Sequence, residues 1–131
     1  MGERNDSMVV PYKTLVLGAS IKPERYAYQA VVLLQKHQIE VVAMGIQSGE
    51  IGSTSVVEPF IKLKAIHTVS IYLSPKHQSA YFDYVIDLRP QRVIFNPGTE
   101  NLVFTKLLDK AGILWENACT LVLLSTNQYQ T

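Results

Sequence analysis

The sequence predicts a single α/β domain built on a doubly wound parallel sheet of five strands in the order 3-2-1-4-5. Short, nearly continuous apolar segments alternate with stretches of helical periodicity, and such segments are typical of strands covered on both faces. The chain has 131 residues, of which 47% are hydrophobic, and this is enough apolar mass for one core. Right-handed crossovers between parallel strands place helices on both faces of such a sheet.

Each predicted strand is followed by a turn or by signals that start a helix. The five strands are residues 14–17, 39–44, 68–73, 92–95 and 113–115. Pro23 suits the first turn of the first helix, and the pair Ser74-Pro75 is typical of an N-cap followed by the first helical position. Thr99 is the predicted N-cap of the next helix, and a short final helix covers residues 120–124.

Two segments lack these patterns. Residues 1–7 are polar and lack the apolar segment of a signal peptide, so we expect a disordered leader over residues 1–10 before the domain at 11–131. Residues 47–65 contain Gly and Pro and are predicted to be an irregular connection, with at most a short helix near 58–63.

No segment has the roughly 18 apolar residues of a membrane span, so we expect a cytoplasmic protein without membrane attachment.

Composition excludes several classes of function. The chain has 12 basic and 11 acidic residues and a net charge of +1, which is not the footprint of a general nucleic-acid binder. Cys119 is the single cysteine, which excludes an intrachain disulfide and a cysteine-based metal site, and the three histidines lack metal-ligand spacing. Neither paired carboxylates nor a Ser/His/Asp set is evident, so we assign no catalytic residue.

The carboxyl edge of a doubly wound sheet is where ligands bind, and five loops are predicted to reach it. They are residues 18–22, 45–47, 74–75, 96–99 and 116–119. The first loop joins a buried strand to a helix, so its N–H groups and the helix dipole favour an anion. Gly18 permits a tight turn, and Ala19 and Ser20 are small enough for a phosphate to approach the backbone. Lys22 and Arg25 add positive charge beside that turn.

The first loop is not a dinucleotide fingerprint. The G-x-G-x-x-G spacing needs glycines at the positions where Ser20 and Pro23 stand. The second strand ends at Met44-Gly45, without the acidic residue that holds a ribose hydroxyl in NAD-binding units. These departures weigh against NAD and leave a binding site for another phosphorylated ligand, with an NAD(P)-binding or other nucleotide-binding scaffold as an alternative.

Several segments of the chain resemble the CoA-binding domain family, which comprises small stand-alone Rossmann-like proteins related to the CoA-binding domain of the succinyl-CoA synthetase α subunit. The segments that carry the resemblance are residues 17–20, 22–26, 72–75, 96–101 and 118–120. In that family the first loop holds the CoA phosphates, and the resemblance implies CoA or an acyl-CoA as the ligand here. We expect the cofactor-binding residues to be Gly18, Ala19, Ser20, Lys22, Pro23, Arg25, Tyr26, Met44, Gly45, Leu73, Ser74, Pro75, Asn96, Pro97, Gly98 and Thr99.

The resemblance implies a non-enzymatic carrier or sensor of CoA or acyl-CoA, because one unit of this length has no second domain to position a reaction. The alternative is a subunit of a split acyl-CoA synthetase that needs a partner enzyme subunit. Gln47 departs from the family, in which a lysine is common at that place. Cys119 is predicted at the same edge, where a mixed disulfide with CoA, or a bridge between two Cys119 thiols in a homodimer, is reachable. The competing interpretation of Cys119 is a small buried apolar residue.

Overall fold

The structure of the protein is a computed structural model, and it is described here for residues 11–130. Within these residues the chain forms seven strands and four α-helices. They are β1 (Thr14–Leu17), α1 (Tyr26–Lys36), β2 (Val41–Met44), β3 (Glu50–Ile51), β4 (Thr54–Val57), β5 (Thr68–Ile71), α2 (Phe82–Leu88), β6 (Arg92–Phe95), α3 (Leu102–Ala111), β7 (Leu114–Asn117) and α4 (Thr120–Ser125). The leader predicted for residues 1–10 lies outside the described residues.

The strands form one mixed sheet in the order β3-β4-β2-β1-β5-β6-β7. Neighbouring strands from β4 to β7 are parallel, and β3 pairs with β4 in the antiparallel sense. Leu17 stands beside Met44 on one side and Ile71 on the other, and Ile71 stands beside Phe95. The carboxyl ends of the four central strands therefore meet at one edge, where the loops that follow them come together.

Helices cover both faces of the sheet, as the doubly wound prediction requires. Leu17 and Ile71 belong to the core under α2 and α3. Phe104 of α3 is part of the same core. Val16 belongs to the core on the opposite face, under α1 and α4, where it is grouped with Leu34 of α1. Successive residues of β1 thus point to opposite faces, as strand geometry dictates. Among the helices of residues 11–130, none is long and apolar enough to cross a membrane.

The predicted number and order of the strands are wrong. Strands β3 and β4 form a hairpin inside residues 47–65, where an irregular connection was expected, and Gly52 with φ +60° lies in its turn. Because β4 pairs with β2, the strand predicted as third, now β5, pairs with β1 instead. The short helix expected near residues 58–63 does not form in this described segment.

Several element boundaries differ from the prediction. Helix α1 begins at Tyr26 rather than at Pro23, because the Arg25 N–H donates to the Lys22 carbonyl (3.0 Å) in a turn that precedes the helix. Strand β2 begins two residues later than expected and β5 ends two residues earlier, whereas β7 begins one residue later and continues to Asn117. All these shifts fall at element ends, where sequence patterns are weakest.

Candidate functional site

A cleft of about 480 Å³ opens at the carboxyl ends of β1, β2 and β5, and we call it the first cleft. Its volume lies within the range of about 300–1,000 Å³ that is typical of small-molecule sites. Eight of the expected binding residues line it: Gly18, Ala19, Ser20, Lys22, Arg25, Met44, Gly45 and Leu73. Ile46, Gln47, His77 and Tyr81 complete the lining.

The first loop is held to the end of β2 by two backbone hydrogen bonds. The N–H groups of Gly18 and Ala19 both donate to the Met44 carbonyl, at 3.0 and 2.9 Å. Gly18 has φ +93°, and a Cβ there would lie 3.0 Å from the Leu73 side chain, so this turn requires glycine. These two N–H groups therefore donate within the protein and are not available to a ligand. The N–H groups of Ser20 and Ile21 have no hydrogen-bond partner within residues 11–130 and are the ones left for a ligand.

The end of β2 lies directly against the first loop. A Cβ on Gly45 would overlap the carbonyl oxygen of Ala19, so the close approach of the two segments depends on this glycine. A Cβ on Gly49 would lie 2.8 Å from Cγ2 of Ile21, which shows that the Ile21 side chain covers this glycine. The loop is thus supported by the strand before it, by β2 and by the segment that leads into the hairpin.

The electrostatics of the first cleft favour an anion. Lys22 and Arg25 are exposed at the cleft, and neither forms an ion pair with a carboxylate of the described residues. None of the described residues that line the cleft is acidic. Helix α1 has Arg25 at its N-cap position, no side-chain cap and no acidic residue in its first turn, so no side chain of that turn offsets the positive end of its dipole.

The segment after β5 forms the opposite wall of the first cleft, and its conformation differs from the prediction. Pro75–His77 is a 3-10 turn, a second such turn follows, and α2 starts only at Phe82. The Ser74 hydroxyl lies 3.0 Å from Nδ1 of His77 and caps no backbone N–H. Ser74 thus occupies the predicted N-cap position and Pro75 the first position after it, but the turn is a 3-10 turn and the Ser74 side chain makes no cap hydrogen bond.

Sequence reasoning missed His77 and Tyr81 as cleft residues. The ring of Tyr81 stacks on Phe60, with centroids 4.6 Å apart and an interplanar angle of 19°. Burial raises the pKa of Tyr81. The helical spacing of the segment predicts a core position for Tyr81 and a solvated one for His77. Their place in the cleft depends on the broken helix before α2, which the spacing does not reveal.

A second cleft of about 380 Å³ lies on the α1 and α4 face of the same edge. Its lining residues are Tyr26, Tyr72, Asn96, Pro97, Cys119, Leu121 and Val122. The structure therefore separates Tyr26, Asn96 and Pro97 from the eight predicted residues of the first cleft. The Tyr72 hydroxyl is buried without a hydrogen-bond partner in the described part of the chain, and burial raises the pKa of Tyr72. Cys119 is partly exposed and directly precedes α4.

Asn96 joins the ends of two strands to the start of α4. Its amide nitrogen donates to the Ser70 hydroxyl and to the Ile71 carbonyl, both at 2.9 Å. Its amide oxygen accepts from the Thr120 N–H at 2.8 Å. Asn96 is 1% exposed, so both of its N–H donors serve the fold.

Five of the expected binding residues line neither cleft: Pro23, Ser74, Pro75, Gly98 and Thr99. Thr99 is buried, and its hydroxyl donates to the Asn96 carbonyl at 2.7 Å. The N-cap of α3 is Asn101, whose side chain accepts from the Phe104 N–H at 3.1 Å, so the prediction of Thr99 as N-cap is wrong.

Gln78 connects the loop after β5 to the loop after β6, and the sequence gives no sign of this role. Its side chain is completely buried and donates to the carbonyls of Leu73 (2.9 Å) and Thr99 (2.8 Å). It also accepts from the Asn101 amide at 3.1 Å. The network fixes Leu73, and with it one wall of the first cleft.

An α/β sheet with an anion-attracting cleft at its carboxyl edge defines a class of proteins that bind phosphorylated small molecules. A family model described as CoA binding domain matches residues 12–125. The chain therefore belongs to the CoA-binding domain family, and the resemblance drawn from its sequence is confirmed. No curated protein matches the chain.

Solved structures share this fold. The crystal structure of an uncharacterized protein is 37% identical, with a TM-score of 0.87 over 91% of this chain and 98% of the other. A hypothetical protein from Pyrococcus horikoshii OT3 is 25% identical, with a TM-score of 0.78 over 91% of this chain and 84% of the other. A protein from Thermus thermophilus, at 22% identity and a TM-score of 0.76 over 91% of each chain, shows likeness of fold alone.

Proposed function

We propose that the first cleft binds the phosphates of CoA or an acyl-CoA, and that the protein is a non-enzymatic carrier or sensor of this ligand. The observation that carries the proposal is the pair of cations at this cleft, Lys22 and Arg25, without carboxylate partners in the described residues. Membership of the CoA-binding domain family selects CoA among the phosphorylated small molecules that such a cleft accepts.

The chemistry of CoA matches the charges of the cleft. CoA carries a diphosphate and a 3′-phosphate, and its negative charge faces two cations and the uncapped start of α1. The Arg25 guanidinium suits bidentate contact with phosphate oxygens, and the Lys22 ammonium acts as a point charge. Gln47 on the β2 side is neutral, so we expect the first loop to supply most of the electrostatic affinity.

The geometry near the first cleft supports binding rather than catalysis. Ser74 and His77 form a hydroxyl–imidazole pair at its edge. Nucleophilic catalysis by such a pair normally uses a third group that orients the imidazole. In the described residues, no acidic side chain bonds to the His77 ring.

Isothermal titration calorimetry with CoA tests this proposal. Lys22→Ala and Arg25→Ala should each weaken binding by about 1–3 kcal/mol, because each removes a charge-assisted hydrogen bond to a phosphate. The fold should survive, since both side chains are exposed and form no ion pair within residues 11–130. Lys106→Ala on the exposed side of α3 is the matched control and should bind CoA like the wild type. Unchanged affinity in the double variant would show that the phosphates bind elsewhere.

A further inference from the structure

The two clefts lie on opposite faces of the sheet at the same edge, and residues adjacent in sequence line them, although no residue lines both. Arg25 lines the first cleft and Tyr26, the next residue, lines the second. On the other side, Leu73 lines the first cleft and Tyr72 lines the second. A ligand anchored at the first loop therefore reaches the second cleft by crossing the start of α1 and the end of β5.

The second cleft is apolar where the first is charged. None of the described residues that line it carries a charge, and Pro97, Leu121 and Val122 contribute apolar surface. Two apolar side chains remain exposed on its lining, with Tyr26 at 68% and Val122 at 54% exposure. Two polar side chains of the lining are turned to the protein, since Asn96 is bonded within the fold and the Tyr72 hydroxyl is buried. The Cys119 thiol and the Tyr26 hydroxyl are the other polar groups of the lining. Apolar surface exposed beside a charged cleft is typical of a ligand site.

We propose that the second cleft binds the apolar acyl chain of an acyl-CoA, and that the protein thereby prefers short-chain acyl thioesters to free CoA. This inference rests on the proposed function, because the first cleft has to hold the phosphates of the same molecule. CoA ends in a long, flexible pantetheine arm, which allows its distal end to lie in a neighbouring cleft. The volume of about 380 Å³ lies within the range for small-molecule sites, so a short acyl chain fits.

Calorimetric titration of the full chain with four ligands tests the inference. The ligands are 3′-phospho-ADP, which lacks the pantetheine arm, CoA, acetyl-CoA and butyryl-CoA. Each methylene that becomes buried should tighten binding by about fourfold. Val122→Ser should reduce the preference for butyryl-CoA over CoA at least threefold and leave the affinity for 3′-phospho-ADP unchanged. Val103→Ser is the matched control, because Val103 is similarly exposed and lies on α3, outside both clefts.

The outcomes separate this inference from the proposed function. If CoA and 3′-phospho-ADP bind but butyryl-CoA binds no tighter than CoA, the inference is overturned and the proposed function stands. An equal loss of affinity for all four ligands in Val122→Ser would also overturn it, because the change would then act on the whole fold. If none of the four ligands binds, the proposed function fails and the inference fails with it.

Discussion

Replacing Asn96 by alanine should destabilise the protein strongly, because this side chain joins three elements at the carboxyl edge. The substitution leaves two buried backbone groups without partners, the Ile71 carbonyl and the Thr120 N–H. The Ser70 hydroxyl keeps its contact with the Thr120 hydroxyl at 2.8 Å. Two groups are therefore orphaned rather than three.

The magnitude follows from this count. Each orphaned buried group costs about 1–3 kcal/mol, so Asn96→Ala should lose about 2–6 kcal/mol of unfolding free energy. This is a large part of a typical total of about 5–15 kcal/mol. Asn96→Asp should also destabilise, because it places a carboxylate oxygen against the Ile71 carbonyl, where the amide nitrogen now donates.

Urea denaturation followed by circular dichroism measures the loss. Ser125→Ala is the control, because it removes one exposed hydroxyl contact with the Val122 carbonyl and should change the unfolding free energy by no more than about 0.5 kcal/mol. A loss for Asn96→Ala that does not exceed the loss for Ser125→Ala would refute the reasoning. It would show that the buried network at the strand ends does not hold the edge together.

Three further outcomes are expected. Gly45→Ala should displace the first loop and abolish CoA binding measured by calorimetry, because its Cβ overlaps the Ala19 carbonyl oxygen. Burial lowers the pKa of His67, so the unfolded chain binds a proton more readily and stability falls as the pH drops below about 6.5. His67→Gln should therefore reduce the fall in Tm between about pH 7.5 and 5.5, and an equal fall in the variant and the wild type contradicts this. Oxidised CoA should add one CoA to Cys119 by thiol–disulfide exchange, with release of the other CoA as a thiol. Mass spectrometry of the intact protein measures the adduct. The absence of an adduct, or an adduct that persists in Cys119→Ser, contradicts this prediction.

The central strands were predictable because their environment is uniform. Strands β1 and β5 are buried along their whole length. Strand β1 is Thr-Leu-Val-Leu, and the pattern of β5 continues into Tyr72-Leu73, which gives a segment long enough to predict a strand. Strand β4, with the sequence Thr-Ser-Val-Val, is only partly buried, and β3 has two residues. Neither gives an apolar run, and once β4 is overlooked the strand order cannot be assigned correctly.

The first cleft was largely predictable, and the second only in part, because Tyr26, Asn96, Pro97 and Cys119 were expected at this edge but not as a separate cleft. Loops after parallel strands reach one edge in any doubly wound sheet, so a small-residue turn at Gly18 with nearby cations indicates an anion site from local sequence alone. The second cleft depends on α4 packing against α1, which brings Val122 and Tyr26 to one place from opposite ends of the chain. Gln78 was missed for the same reason, since its partners are distant carbonyls.

Chemical-shift mapping by NMR tests most directly whether CoA binds at the first loop. Titration of the isotope-labelled protein with CoA should shift the backbone amide signals of Ser20, Ile21 and Lys22 most strongly, because these residues surround the N–H groups left for a phosphate. The signals of Lys13 and His67, at the amino ends of the strands, should remain in place. The largest shifts at Lys13 and His67, or no shifts in the first loop at saturating CoA, would contradict the account.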